Sequence, residues 1–431
     1  MGFYTPGRRV AIISGVRTPF AKAGTALKSY TAIELGKMAV SELVHRTNLD
    51  VDALDLLVFG TVVPSVVAPN IAREIALMPL LPKKTQAFSV SRACASANQA
   101  ITDAADQIVL GHAHVAIAGG AESLSHVPIL HSRGMSDALV AASRAKTLGQ
   151  RLQAFAKVRA KDFIPITPAI AELTTGESMG QSAEKMAKIN GIPRREQDEL
   201  ALASHLNAAQ GTKDGRLTAE ILPVFLPPRL EQAITEDNGI RADSALDQLA
   251  ALKPVFDRRY GTVTAGNSSP LTDGGAAVLL MSEDRAKALG YHPLAYIRSY
   301  AYAAIDPGEQ LLQAPVLAAP VALQRAGLTL RDMDLVEMHE AFAAQVLSNL
   351  RGLESKVWAE RAGFSEPVGA VDRSRLNVMG GSLAIGHPFG ATGARITTTL
   401  VNELARRGGQ FGLMTVCAAG GLGFAMVVER A

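Results

Sequence analysis

Cys94 and Cys417 are the only cysteines among 431 residues, and each lies in a run of small side chains. Cys94 is embedded in Val90-Ser91-Arg92-Ala93-Cys94-Ala95-Ser96-Ala97-Asn98, and Cys417 in Thr415-Val416-Cys417-Ala418-Ala419-Gly420-Gly421. Between them comes Asn377-Val378-Met379-Gly380-Gly381-Ser382-Leu383-Ala384-Ile385-Gly386-His387-Pro388. A thiolate is the best side-chain nucleophile near neutral pH, but it needs a base or a dipole to form. Small neighbours let a thioester approach the backbone. Two sulfurs and a glycine-framed histidine together read as acyl-transfer chemistry. The competing reading is a pair of buried structural cysteines, which behave as small hydrophobes.

The elements around these runs favour the chemical reading. Ala87–Val90 is strand-like and a helical pattern follows Cys94, which places the sulfur near a helix N-terminus. The dipole and free N–H groups there favour a thiolate and can hold an oxyanion. His387 sits in a rigid glycine-rich loop ahead of the helical stretch Thr392–Arg406, a suitable mount for the base of a distant cysteine. Strands are expected at Val10–Ile13, Leu56–Phe59, Val115–Ala118, Ala276–Met281, Leu335–Met338 and Leu413–Val416, and further helices at Ala32–Arg46 and Asn98–Leu110. Alternating strands and helices mean α/β layers. The segment Leu49–Gly60 echoes Leu328–Met338, and Val115–Gly120 echoes Leu413–Gly421. The period of about 280–300 residues is too long for a solenoid. It implies two similar α/β halves, the first interrupted by an insertion at 126–271.

Other features exclude alternatives or stay open. His339-Glu340-Ala341-Phe342 is expected to begin a helix right after the strand Leu335–Met338, and His339-Glu340 suggests a zinc protease until position 343 proves to be Ala, where H-E-x-x-H needs histidine. Gly176-Glu177-Ser178-Met179-Gly180 fits G-x-S-x-G, but no buried strand precedes it, as a hydrolase elbow requires. From Ala138 to Lys161 there is no acid, while Arg144, Lys146, Arg151, Lys157, Arg159 and Lys161 supply positive charge. Leu148, Leu152, Phe155 and Val158 recur among them at helical spacing. Such a helix either meets an anionic membrane or a partner, or is a solvated face. The net charge of +3, from 43 Lys+Arg against 40 Asp+Glu, argues against nucleic acid as a partner. The widely separated cysteines fit a reducing compartment. No signal-like segment and no apolar run of about 20 residues is evident, so a soluble cytoplasmic protein is expected.

With these residues in view, the chain resembles the thiolase family. The runs around Cys94, His387 and Cys417 match its three signatures, and Thr262-Val263-Thr264-Ala265-Gly266-Asn267-Ser268-Ser269 resembles its coenzyme A loop. The resemblance covers essentially the whole chain. It implies two α/β halves, each a mixed five-stranded sheet, in a five-layer αβαβα arrangement with an inserted loop domain. The halves would be 1–125 (completed by 272–284) and 285–431, with coenzyme A bound by 126–271. By matching motifs, Cys94 is the acylated nucleophile, His387 its base and Cys417 the acid/base for the acetyl carbanion. His387 and a water held by His339 would stabilise one oxyanion, and the N–H groups of Cys94 and Ala419 the other. Met179, Arg241 and Ser269 would contact coenzyme A, and Phe342 would line the acyl pocket. The implied activity is thiolysis of 3-oxoacyl-CoA in fatty-acid β-oxidation. Coenzyme A would be a substrate, with no resident cofactor and no metal. A biosynthetic acetoacetyl-CoA thiolase and a non-catalytic lipid-binding or scaffold protein are the alternatives. His339-Glu340-Ala341-Phe342, where most thiolases resemble Asn-Glu-Ala-Phe, looks like the β-subunit of the trifunctional oxidation complex. Thiolase relatives pair through their core halves, which implies a homodimer or larger assembly, and the likeness to that β-subunit implies a hydratase/dehydrogenase α-subunit or peripheral membrane contact.

Overall fold

The computed structural model describes residues 8–166 and 171–431. In chain order the elements begin with β1 (Val10–Arg17), β2 (Ala21–Lys22), α1 (Ala32–Thr47), β3 (Leu56–Gly60), α2 (Ile71–Ala76), β4 (Gln86–Val90), α3 (Ser96–Val109) and β5 (Val115–Glu122). Then come α4 (Arg133–Arg144), α5 (Leu148–Ala154), α6 (Met179–Ile189), α7 (Arg194–Lys213), β6 (Val224–Phe225), β7 (Ala233–Ile234), α8 (Leu246–Ala250), β8 (Thr272–Ser282) and α9 (Glu283–Ala288). The remainder is β9 (Ala295–Ala304), α10 (Pro315–Ala326), β10 (Leu335–Met338), α11 (Ala343–Leu353), α12 (Lys356–Arg361), α13 (Ser382–Ile385), α14 (Thr392–Arg407), β11 (Phe411–Ala418) and β12 (Leu422–Arg430).

The internal echo in the sequence becomes a repeat of topology. One half has strand order β4-β3-β5-β8-β1, and the other runs β10-β11-β12-β9. Parallel pairing joins β3 to β5 and β10 to β11, and antiparallel pairing joins β5 to β8 and β11 to β12. The counterpart of β4 in the second half is a single bridge, Val336 to Leu376. The resemblance implied five strands there; among the described residues, four strands and this bridge occupy the positions. The halves join edge to edge where Ala11 and Ile12 of β1 pair with Tyr296 and Ala295 of β9.

Because side chains alternate across a strand, each sheet carries two apolar faces. In β5, Ala116 and Ala118 join a cluster with α3 and α14, while Val115 and Ile117 join one with α1 and α2. In β12, Phe424, Met426 and Val428 face the first cluster, while Ala425 and Val427 pack with α10 and α11. Helices outside, two sheets, and α3 with α14 between them make the five layers. The two central helices approach closely at their N-terminal turns. A β-carbon at Gly393 would lie 2.2 Å from Asn98 Oδ1, so only glycine fits. A β-carbon on Gly120 would lie 1.9 Å from the Gly390 carbonyl oxygen, which brings the end of β5 against the loop carrying His387.

Residues His126–Ala171 form a separate compact unit. Within it the basic stretch is not one helix. Ala145 leaves α4 in extended backbone, and Thr147 starts α5 with a capping box to Gln150. α5 ends at Ala154, so Val158 does not continue the apolar stripe. Leu148 and Leu152 are 73% and 68% exposed, which leaves α5 with an uncovered apolar face. Arg159 lies 3.5 Å from Asp162 and is therefore not a free cation. Among the described residues, no helix is long and apolar enough to cross a membrane.

Candidate active site

The repeat explains how the site is assembled. Cys94 precedes α3 and His387 precedes α14, so the two side chains stand at equivalent positions of the two halves, at the facing N-termini of the central helices. Ala93 holds a left-handed conformation, φ 45°, immediately before the cysteine. That backbone is costly for a residue with a β-carbon and is typical of sites where position outweighs comfort. The alanine gave no signal of it in the sequence.

His339 enters from the other side. It was expected to begin a helix. Instead Met338 ends β10, His339–Phe342 form the connection, and α11 starts at Ala343. The Cys94 sulfur and one nitrogen from each of His339 and His387 lie within 4.8 Å of one another. The imidazole centroids are 4.2 Å apart. His387 Nδ1 is 2.6 Å from Thr392 Oγ1, and His339 Nδ1 is 3.0 Å from Ser382 Oγ. Both Nε2 atoms are buried without a protein partner. Each ring is thus anchored on one nitrogen and open on the other.

Cys417, at the end of β11, is buried and close enough that a charge on Cys94 raises its thiol further, after burial as the main cause. The Ala419 N–H and Cys94's own N–H both reach the Cys94 sulfur. Even so, burial pushes the Cys94 thiol up to about 12, with the Glu122 carboxylate adding to the rise. The helix N-terminus does not prevail, contrary to expectation. A helix end contributes at most about 2 kcal/mol, or about one and a half pH units, which is less than the effect of burial here. Burial, with Arg395 assisting, takes His387 down to about 3. His339 is likewise lowered by burial, by His387 and by Arg395. The resting site is therefore uncharged: thiol, thiol and two neutral imidazoles.

The remaining sequence candidates divide. Met179 and Phe342 pack in one apolar cluster with Cys417. Phe342 also meets Phe256 edge-on, with ring centroids 6.1 Å apart. The Ser269 N–H donates to the Ala341 carbonyl, and the next residues run beside the histidine loop, where the His387 N–H donates to the Pro270 carbonyl. Arg241 is not in this cluster. Its backbone N–H donates to His205 Nδ1 at 3.3 Å, and its charge lowers the Lys22 ammonium behind burial as the larger cause. Among the described residues neither Lys22 nor Arg241 has an acidic partner within salt-bridge distance, which leaves two cations open to an anion.

Sequence reasoning missed the groups that hold the histidines: Thr392, Ser382, Arg395 and Glu122. The buried Glu122 carboxylate accepts from the N–H groups of Val62, Val63 and Gly390 and from the Thr61 hydroxyl. It ties the end of β3 to the histidine loop. Thr392 was within reach of a pattern argument, five residues after His387. The others are joined only by the fold.

Comparison with known proteins agrees with this architecture. Residues 10–284 match the model for the thiolase N-terminal domain and residues 291–430 that for the thiolase C-terminal domain. The chain belongs to the thiolase family. It is 53% identical to the 3-ketoacyl-CoA thiolase of Yersinia enterocolitica over 98% of this chain and 97% of that one. Among solved structures it resembles the Bacillus anthracis acetyl-CoA acetyltransferase, with TM-score 0.85 and 32% identity, covering 98% of this chain and 99% of that one. It also resembles human mitochondrial 3-ketoacyl-CoA thiolase in complex with CoA, with TM-score 0.83, 32% identity and 98% of both chains covered.

Proposed function

We propose that this protein is a 3-ketoacyl-CoA thiolase, an acyltransferase that cleaves 3-oxoacyl-CoA with coenzyme A to acetyl-CoA and a shortened acyl-CoA in fatty-acid β-oxidation. The observation that carries the reading is the Cys94 sulfur within 4.8 Å of a nitrogen from each of two buried imidazoles, each ring with an unpartnered Nε2, beside a second buried thiol. A scaffold or lipid carrier has no use for that arrangement.

Cys94 attacks the 3-oxo carbon and passes its proton to His387 Nε2. The tetrahedral oxygen is held by the N–H groups of Cys94 and Ala419, which already point at the sulfur. The bond between C2 and C3 breaks, leaving an acyl-Cys94 thioester and the enolate of acetyl-CoA. The protonated His387 and a water held by His339 steady the enolate oxygen while Cys417 protonates its carbon. Coenzyme A then gives its thiol proton to the Cys417 thiolate and attacks the thioester, and Cys94 recovers its proton from His387. Burial serves this cycle because matched, uncharged groups exchange protons with little solvent reorganisation.

Met179 and Ser269 contact coenzyme A, Phe342 lines the acyl pocket, and Arg241, supported by the open charge of Lys22, meets a cofactor phosphate. The loop region 126–271 forms the coenzyme A face. Thiolysis measured across 3-oxoacyl-CoA chain lengths tests the assignment. Turnover is expected on substrates longer than acetoacetyl-CoA, and turnover of acetoacetyl-CoA alone identifies the biosynthetic type instead.

The protein is assigned to the cytoplasm, in keeping with two free cysteines. It forms at least a homodimer, supported by β4, an edge strand paired only with β3 among the described residues. Association with a hydratase/dehydrogenase α-subunit or an anionic membrane is supported by the exposed Leu148 and Leu152 among basic residues. Each such residue near anionic lipid contributes about 1 kcal/mol. Replacing Arg151, Lys157 and Lys161 with Gln is expected to reduce liposome flotation or α-subunit pulldown at low salt, with thiolysis retained. Unchanged binding in both assays makes this a solvated surface.

A further inference from the structure

We propose that Ser382 and Arg395 are positioning residues that fix the tautomer of His339, so that it presents an N–H rather than a lone pair to the reacting atoms. Among the described residues, the Ser382 hydroxyl has two partners: His339 Nδ1 at 3.0 Å and Arg395 Nη2 at 3.1 Å. A guanidinium donates hydrogen bonds and accepts none. The hydroxyl oxygen therefore accepts from Arg395, and the hydroxyl proton has one acceptor within reach, His339 Nδ1. A neutral imidazole that accepts at Nδ1 carries its proton on Nε2. That nitrogen is buried with no partner in the protein, on a ring that brings one of its nitrogens within 4.8 Å of the Cys94 sulfur.

The opposite tautomer would leave the fully buried Ser382 hydroxyl proton without an acceptor, an arrangement that folded proteins avoid. Arg395 is held in turn. It is fully buried, its Nη1 lies 3.7 Å from Glu337 Oε2, and it stands near the start of α14, the helix that follows His387. Its positive charge also opposes protonation of both imidazoles. The chain Glu337, Arg395, Ser382, His339 thus sets which atom of His339 faces the site without itself touching substrate.

This inference rests on the acyl-transfer reading, so acylation of wild-type Cys94 by acetyl-CoA is checked first by intact mass; absence of an adduct sinks that reading and not the tautomer. The tautomer is read from nitrogen NMR of the full-length protein labelled with 15N-histidine, with His339 assigned by its loss in His339→Asn. Wild type is expected to show His339 protonated at Nε2 and not at Nδ1. Ser382→Ala is expected to mix or invert the tautomers and to lower kcat about 10- to 100-fold, less than the about 10²- to 10³-fold of an oxyanion donor removed outright, with KM changed less than about threefold. Arg395→Lys keeps a donor to Ser382 and is expected to retain the wild-type nitrogen pattern. A wild-type His339 protonated at Nδ1 overturns the proposal, and does so even where the variants fail to fold. A Ser382→Ala protein with unchanged nitrogen shifts and unchanged kcat overturns it as well.

Discussion

Cys94→Ser is expected to lower thiolysis by about 10⁴-fold or more, the scale seen when a covalent nucleophile is removed, and to abolish the acyl-enzyme. The substitution keeps the size of the side chain, so the helix start and its N–H donors survive. What it removes is acidity. Wild type pairs a thiol near 12 with an imidazole near 3, and the attack becomes feasible as charge passes into the oxyanion donors. A serine hydroxyl is a far weaker acid, and an imidazole so lowered is too weak a base to compensate. Intact-mass spectra after mixing with acyl-CoA are expected to show one adduct on wild type and none on the variant. An adduct on the variant, or one mapped to Cys417, contradicts the assignment. The same electrostatics set the pH profile. A lowered imidazole stays neutral, and so able to accept a proton, as pH falls well below 6.5. The acid limb of the wild-type rate is therefore expected well below that value, and a fall centred near 6.5 contradicts the burial argument.

Cys417→Ala is expected to separate the two half-reactions. Cleavage and condensation should fall by about 10²–10⁴-fold, the usual worth of a general acid/base, while Cys94 still takes an acyl group from a simple thioester. Cys417 is buried at the end of β11 in the cluster that contains Phe342 and Met179, where the acetyl carbon is expected to lie. The loss of a thiol leaves only a small cavity there. Equal loss of acyl transfer and of cleavage, measured on the same preparation, would falsify the division of labour between the two sulfurs.

The amino-acid sequence by itself determined the layers and singled out the candidate residues. Period-two and period-3.6 patterns are local, and they placed β1, β3, β5, β8, β10 and β11 as well as α1, α3 and α14 to within a few residues. The echo of Leu49–Gly60 in Leu328–Met338 anticipated the repeat, because equivalent strands must bury equivalent faces. Cys94, His387 and Cys417 were legible as rare residue types in small-residue runs. Local patterns also misled. The stripe from Leu148 to Val158 continued past the end of α5, and His339 was assigned to a helix although it lies in the connection before α11. Only the tertiary structure brought Cys94 to His387 and His339, because that meeting depends on two halves joined through β1 and β9 and on the close approach of Asn98 to Gly393. It alone decided the charge state of the site. Desolvation sums over everything packed around a group, and here it outweighs the helix terminus that the sequence could reveal. Ser382 and Arg395, which orient the His339 imidazole, became visible for the same reason: their hydrogen bonds are chosen by position in space, and no spacing along the chain encodes them.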